Sequence, residues 1–143
     1  MTEISWPTIA DRLRNPKNYW LATVSADGAP HSVPVWGVVV DDNYYLYSER
    51  DTVKARNLAR NNRVVVHLES GADVVIVHGR ALEVTGAELD AVRQAFAVKY
   101  SDPDEIEWVP TADPQFIVWR LNPARAMTWQ LDDMEGSQRR WEG

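Results

Sequence analysis

Apolar positions along this chain follow two periods, and most of them alternate as strand residues do. Residues 19–25 (YWLATVS) and 30–40, rich in Val and Trp, read as two strands across the turn Ala26-Asp27-Gly28. Asp41-Asp42-Asn43 supplies the next turn, and a strand resumes over 44–49. Residues 63–70 and 73–85 form another predicted pair across Gly71-Ala72. A last pair covers 115–122 and 124–131, broken by Asn122-Pro123. Helical spacing occurs three times. Ser5-Trp6-Pro7 opens a short helix with Ile9 and Leu13 on one face. Asp51-Thr52 caps a second, with Ala55, Leu58 and Ala59 on its buried side. Thr85-Gly86-Ala87-Glu88 fits a capping box ahead of Leu89, Val92, Phe96 and Tyr100. Residues 102–113 are acidic and punctuated by proline, which predicts a loop with at most one helical turn, and 132–143 read as a polar terminus. Six or seven strands with three short helices predict a mainly β fold, a small antiparallel barrel with helices at its rims. Pro34 cannot donate to a ladder, so the strand over 30–40 is expected to lie at an edge, bulge or kink.

Length and charge narrow the field. The 143 residues suit one domain spanning 1–143. A net charge of -6 argues against non-specific nucleic-acid binding, which needs a strong positive field. The chain has no cysteine, which removes disulfides, thiolate metal sites and cysteine nucleophiles and fits a reducing cytoplasm. The start, MTEISWPTIADRL, lacks a basic region followed by an apolar run, so no signal peptide is expected. No stretch approaches the roughly 20 apolar residues that cross a bilayer, and no membrane association is expected.

Against the acidic background stands one basic window. Arg50, Lys54, Arg56, Arg60 and Arg63 fall together, with Asp51 as the only acid among them. A helix start presents free N–H groups and partial positive charge, so Thr52, Lys54, Arg56 and Asn57 compose a candidate phosphate site. A solvated helix face would show the same spacing. His31, His67 and His78 are dispersed over separate strands without metal-ligand spacing, and no metal site is expected. There is no G-x-G-x-x-G or Walker loop, no nucleophile elbow and no H-E-x-x-H. Seven tryptophans suit flat ligands or a subunit interface as well as core filling.

These segments in order carry a resemblance. LATVSADGAPHSVPVWGVVV, then the K-x-R-N-L helix at Lys54–Leu58, then RVVVHLE, resemble the pyridoxamine 5'-phosphate oxidase-like, flavin-binding split-barrel superfamily. The likeness continues more loosely through HGRALEV and the late I-V-W-R-L-N-P-A-R-A-x-x-W segment. It implies a split β-barrel homodimer with cofactor sites between the subunits. The ring-side strand maps to Pro34, Val35 and Trp36, the end of the next strand to Ser48 and Glu49, and the phosphate motif to Lys54, Arg56 and Asn57. Trp129 and the Arg139-Arg140-Trp141 end are implied to be reachable across the dimer. The style of the P-V-W and K-x-R-N-L segments resembles the coenzyme F-420-dependent group, with FMN as the alternative cofactor, and some superfamily members bind haem. The R-x-H substrate-phosphate motif of true pyridoxamine phosphate oxidases is not found, which argues against vitamin B6 oxidation. The function implied is hydride transfer from the deazaflavin C5 to a small organic substrate, with solvent, Tyr47 or His31 as proton source. The alternatives are an FMN-dependent oxidase or reductase and a non-catalytic flavin or deazaflavin binder.

Overall fold

The computed structural model describes residues 2–143. Its elements in chain order are β1 (Thr2–Glu3), α1 (Trp6–Arg12), β2 (Tyr19–Val24), β3 (Pro30–Val35), β4 (Gly37–Val40), β5 (Asn43–Glu49), α2 (Val53–Arg60), β6 (Arg63–Leu68), β7 (Asp73–Glu83), α3 (Gly86–Lys99), β8 (Phe116–Gln130), α4 (Met134–Ser137) and β9 (Arg139–Glu142). A single turn of 3-10 helix covers Ile106–Trp108, within the loop length expected there. The mainly β, split-barrel expectation holds, although the strands number nine because two short terminal ones join the sheet.

The ring runs from β3 through β2, β6, β7 and β8 to β5 and β4, all by antiparallel pairs. Between β3 and β4 there is no ladder. The chain itself crosses there, at Trp36, so the stretch expected as one strand is two that serve opposite sides of the split. Pro34 sits opposite Trp20 on β3, which is an end strand, where a missing donor costs least. Alternation on β2 buries Tyr19, Leu21 and Thr23 and leaves Trp20, Ala22 and Val24 half-exposed. The barrel interior collects Leu21, Leu46, Val66, Val75, Val77 and Leu121, with Ile9 and Leu13 of the first helix plugging one end. A second apolar cluster joins Val92 and Phe96 of α3, and Tyr100 just after it, to Val38, Tyr45 and Val118 on the outer side of the barrel.

Three local expectations are corrected. The late pair is one continuous strand, β8, that passes through Pro123. Pro123 faces Gly79 at a register shift where β8 carries the extra residue Ala124, and a Cβ on Gly79 would collide with the Asn122 carbonyl, so a bulge beside a glycine accommodates the proline. The capping box does not form, because Thr85 makes no side-chain cap bond. Glu88 instead accepts from Tyr45 Oη at 2.6 Å and from Arg120 at 2.7 and 2.9 Å. The tyrosine hydroxyl and then the guanidinium hold its carboxyl below the usual range, and such charge-assisted bonds outweigh a cap. The segment read as a polar terminus carries a short helix and a strand. β9 pairs with β8 and, in parallel, with β1, and Trp141 lies 5.1 Å from Trp6 between ring centroids.

The hairpin between β4 and β5 turns on Asp41 and Asp42, both at positive φ (50° and 61°), a conformation that Asp tolerates. Trp6 Nε1 donates to the Asp42 carbonyl at 2.7 Å, and Arg14 pairs with its carboxylate at 2.6 Å, which ties the hairpin to α1.

Gly37 marks the crossing. A Cβ there would penetrate the ring and hydroxyl of Tyr44, which is wholly buried and packs edge-on against Tyr19 at 4.9 Å. Gly37→Ala is therefore expected to destabilise the fold by about 1–3 kcal/mol, the usual cost of overpacking a core. Urea denaturation checks this, and Tyr44→Leu in the same chain should restore part of the loss.

Candidate functional site

The split at Trp36 opens into a cleft of ≈ 320 Å³. Its lining comes from four places: Asn18 ahead of β2, the end of β3 with Trp36, the end of β5 with the start of α2, and Trp108. Each wall has a local cause. The Trp36 indole lies flat on Tyr100, with ring centroids 4.3 Å apart and planes 5° from parallel. Ser48 is buried and accepts from Trp119 Nε1 at 3.0 Å, which leaves its own hydroxyl proton without an acceptor among the described residues. Tyr47 donates to the Trp108 carbonyl at 2.7 Å and so anchors the 3-10 turn, while the Trp108 indole stays 60% exposed at the rim.

The polar end is built by the start of α2. Thr52 Oγ1 accepts from Ala55 N at 3.3 Å and donates to the Glu49 carbonyl at 2.8 Å, which fixes the helix start against the end of β5. The cap satisfies one orphan donor and leaves the Val53 and Lys54 amides free to face an anion. Lys54 is half-buried; burial lowers its pKa, and Glu49 works in the opposite direction. The side chain is thus a poorly hydrated cation, suited to an anionic ligand. Tyr47 is pushed up to about 12 by burial and, secondarily, by Glu49, so its hydroxyl stays protonated near neutrality.

Of the residues singled out from sequence, Pro34, Val35, Trp36, Ser48, Glu49, Thr52 and Lys54 meet in this cleft. Arg56 does not line it and donates instead to the Asp51 carbonyl at 2.9 Å. Asn57 is buried and turned the other way, its Nδ2 donating to Thr23 Oγ1 at 3.0 Å. It occupies the inward position expected for Ala59, which is exposed. Trp129 lies on the outward face of β8, beside a separate hollow of ≈ 340 Å³ that it shares with Ile76, His78, Met127 and Arg140. His31 is not part of the cleft, and its Nδ1 is buried without a partner. Asn18 and Trp108 escaped the sequence reading, because both sit in irregular segments where no periodicity marks a facing direction.

Residues 5–130 match the family Pyridoxamine 5'-phosphate oxidase, and the chain belongs to that family. No curated protein matches it. Among solved structures it is similar to a heme binding protein from Mycobacterium smegmatis (20% identity, TM-score 0.75), covering 99% of this chain and 60% of that one. It is also similar to a conserved hypothetical protein from Mycobacterium tuberculosis (26% identity, TM-score 0.73), over 90% and 86% of the two chains. A third likeness is to HutZ, the heme storage protein from Vibrio cholerae (22% identity, TM-score 0.65), over 82% and 88%. The two heme-associated structures are likenesses of fold. Among the described residues no helix is long and apolar enough to cross a membrane.

The contrast between Asn57 and Arg56 is measurable. Asn57→Ala strands the buried Thr23 hydroxyl and is expected to cost about 1–3 kcal/mol of stability. Arg56→Ala at the exposed neighbouring position should stay within about 0.5 kcal/mol. Thermal or urea unfolding of both variants checks the difference.

Proposed function

We propose that this chain is a one-domain subunit of a cytoplasmic homodimeric oxidoreductase that holds coenzyme F-420 in the cleft beside Trp36 and reduces a small organic substrate. The observation that carries this reading is the joining, in one cleft, of a flat indole wall and a cationic helix start with free amides. A tricyclic ring on a phosphate-bearing tail needs both an apolar face to lie on and oriented donors for its phosphate. The residues fit that demand. Pro34, Val35 and Trp36 supply the face, Ser48 has a hydroxyl proton to give, and Thr52 and Lys54 stand at the anionic end.

When bound, the coenzyme supplies hydride transfer, which no side chain can perform. The chain's own residues then have positional work. Trp36 and Trp108 keep water from a bound ring, and Lys54 balances the phosphate. The Tyr47 hydroxyl is held by the Trp108 carbonyl and His31 is outside the cleft, so the geometry favours solvent as the proton source.

FMN in the same cleft is the second reading, favoured by membership of a family named for an oxidase. A carrier that binds either ligand without turnover is the third. A haem finds less support, since the lining holds no His, Met or Cys and Tyr47 is already engaged. The homodimer draws support from the outward sheet face, where Trp20, Ile76, Met127 and Trp129 remain half-exposed and Leu131 is exposed. Trp129 and Arg140 share a hollow on that face, and in this reading they are the side chains that would extend to a partner's cleft.

Equilibrium titration with oxidised coenzyme F-420 and FMN side by side, read by tryptophan quenching, tests the reading. Coenzyme F-420 is expected to bind at micromolar concentration or better, and Lys54→Ala to weaken it about 10- to 100-fold, the value of a charge-assisted bond to phosphate. Tight FMN binding without coenzyme F-420 binding would move the chemistry to flavin. Binding of neither would remove the site assignment.

A further inference from the structure

Lys99, the last residue of α3, has an unusual setting for an ammonium. Its Nζ donates to the Gly37 carbonyl at 2.6 Å and to Tyr19 Oη at 2.7 Å. It stands 4.9 Å from the Tyr19 ring centroid and 5.3 Å from that of Tyr100. No carboxylate bonds to it among the described residues, because the nearby Glu105 is taken by Lys17 at 2.9 Å. The charge is held by the Tyr19 phenol oxygen and the Gly37 carbonyl, with the Tyr100 ring beside it.

The target of these bonds gives the arrangement meaning. Tyr100 Oη accepts from Gly37 N at 3.0 Å and donates to the Lys17 carbonyl at 2.7 Å. The last residue of α3 and the one that follows it therefore hold both polar groups of Gly37, at the crossing of the split. Gly37 directly follows Trp36, and the Trp36 indole rests on the Tyr100 ring. Backbone and side chain of one cleft wall are thus fixed from behind by one half-buried cation and one phenol.

We infer that Lys99 is a positioning residue: its ammonium, acting through Gly37 and Tyr100, holds Trp36 as the cleft wall, and loss of its proton loosens that wall and weakens ligand binding. A neutral amine loses the attraction to the Tyr100 ring and the charge assistance of its bonds to the carbonyl and the Tyr19 hydroxyl. The groups around it are Arg14 and Lys17 after α1, Tyr19 on β2, Tyr44 on β5, Tyr100 beside it and Glu105 beyond. Arg14 is occupied by Asp11 and Asp42. Burial raises all three phenols, so they keep their protons. Burial, and then Lys17, bring the Lys99 ammonium down to about 8. The clamp is therefore charged below that pH and loses its charge as pH rises through it. Global stability has the opposite sign: the unfolded chain binds the extra proton above pH 8, so stability from this group rises over that window while the wall loosens.

The test uses the full chain labelled with 5-fluorotryptophan and no ligand, with the Trp36 signal identified by Trp36→Phe. Between pH 6 and 9.5 the fluorine resonance of Trp36 is expected to shift with a midpoint near 8, and Lys99→Met should abolish the step. Lys99→Arg stays charged throughout, keeps the fold if methionine does not, and should also show no step. In parallel, the Kd for oxidised coenzyme F-420 or FMN should rise about three- to tenfold from pH 7 to 9 in the unmodified chain. Any part of that rise due to Lys54 persists in Lys99→Arg, so the difference between the two chains isolates Lys99. A Trp36 signal without a step between pH 7 and 9, or the same step in Lys99→Arg, overturns the inference. The clamp bears on binding only if the proposed cleft is the ligand site; if neither ligand binds, that site assignment fails while the fluorine titration still decides the clamp.

Discussion

The covalent crossing at Trp36-Gly37 does the work that hydrogen bonds do elsewhere in the ring. A sheet that closes by pairing leaves no gap, whereas this one closes through two residues, and the gap beside them is the cleft. That solution has conditions. Gly37 must lack a Cβ so that Tyr44 can lie against it, and Tyr44 in turn packs on Tyr19. Two side chains near the end of α3 must take up the Gly37 peptide groups. Each of these supports the closure of the barrel and the wall of the cleft together. Tyr44 Oη, buried without a partner, shows that close packing at this point outweighs a hydrogen bond.

The same geometry resolves an apparent conflict of charge. The chain carries a net -6, yet its cleft ends in a cation and free helix amides. Thr52 is the hinge between the two halves of the site, since it caps α2 and bonds the end of β5. In the proposed reading, an anion at that helix start and a flat group against Trp36 would be held in fixed relation by one short segment. A fixed relation of this kind lowers the entropy lost when a ligand binds.

Local chemistry was legible wherever it was decided locally. Asp41-Asp42 announced a turn that uses positive φ, and Thr52 announced a helix start. Seven of the ten residues singled out for the site meet in the cleft: the helix start marked Thr52 and Lys54, and the family resemblance marked Pro34, Val35, Trp36, Ser48 and Glu49. What escaped was decided at long range. Residues 30–40 look like one strand because nothing in VPVWGVVV shows that Tyr44 and Tyr100 will take over at Gly37. Asn122-Pro123 looks like a break because the partner strand that lets β8 continue, with Gly79 opposite Pro123, lies more than forty residues away. Asn57 fits a phosphate motif by spacing, yet a buried Thr23 on another strand claims its amide.

The central claim is that ligand chemistry resides at the split of the barrel. Hydrogen–deuterium exchange with and without saturating oxidised coenzyme F-420, or FMN if that is the ligand bound, tests it most directly. Slowed exchange concentrated in residues 34–37, 47–54 and 106–108 is the predicted result. Slowed exchange confined to 74–80, 125–129 and 139–142, with 47–54 unchanged, would place the ligand on the outer sheet face and contradict the account.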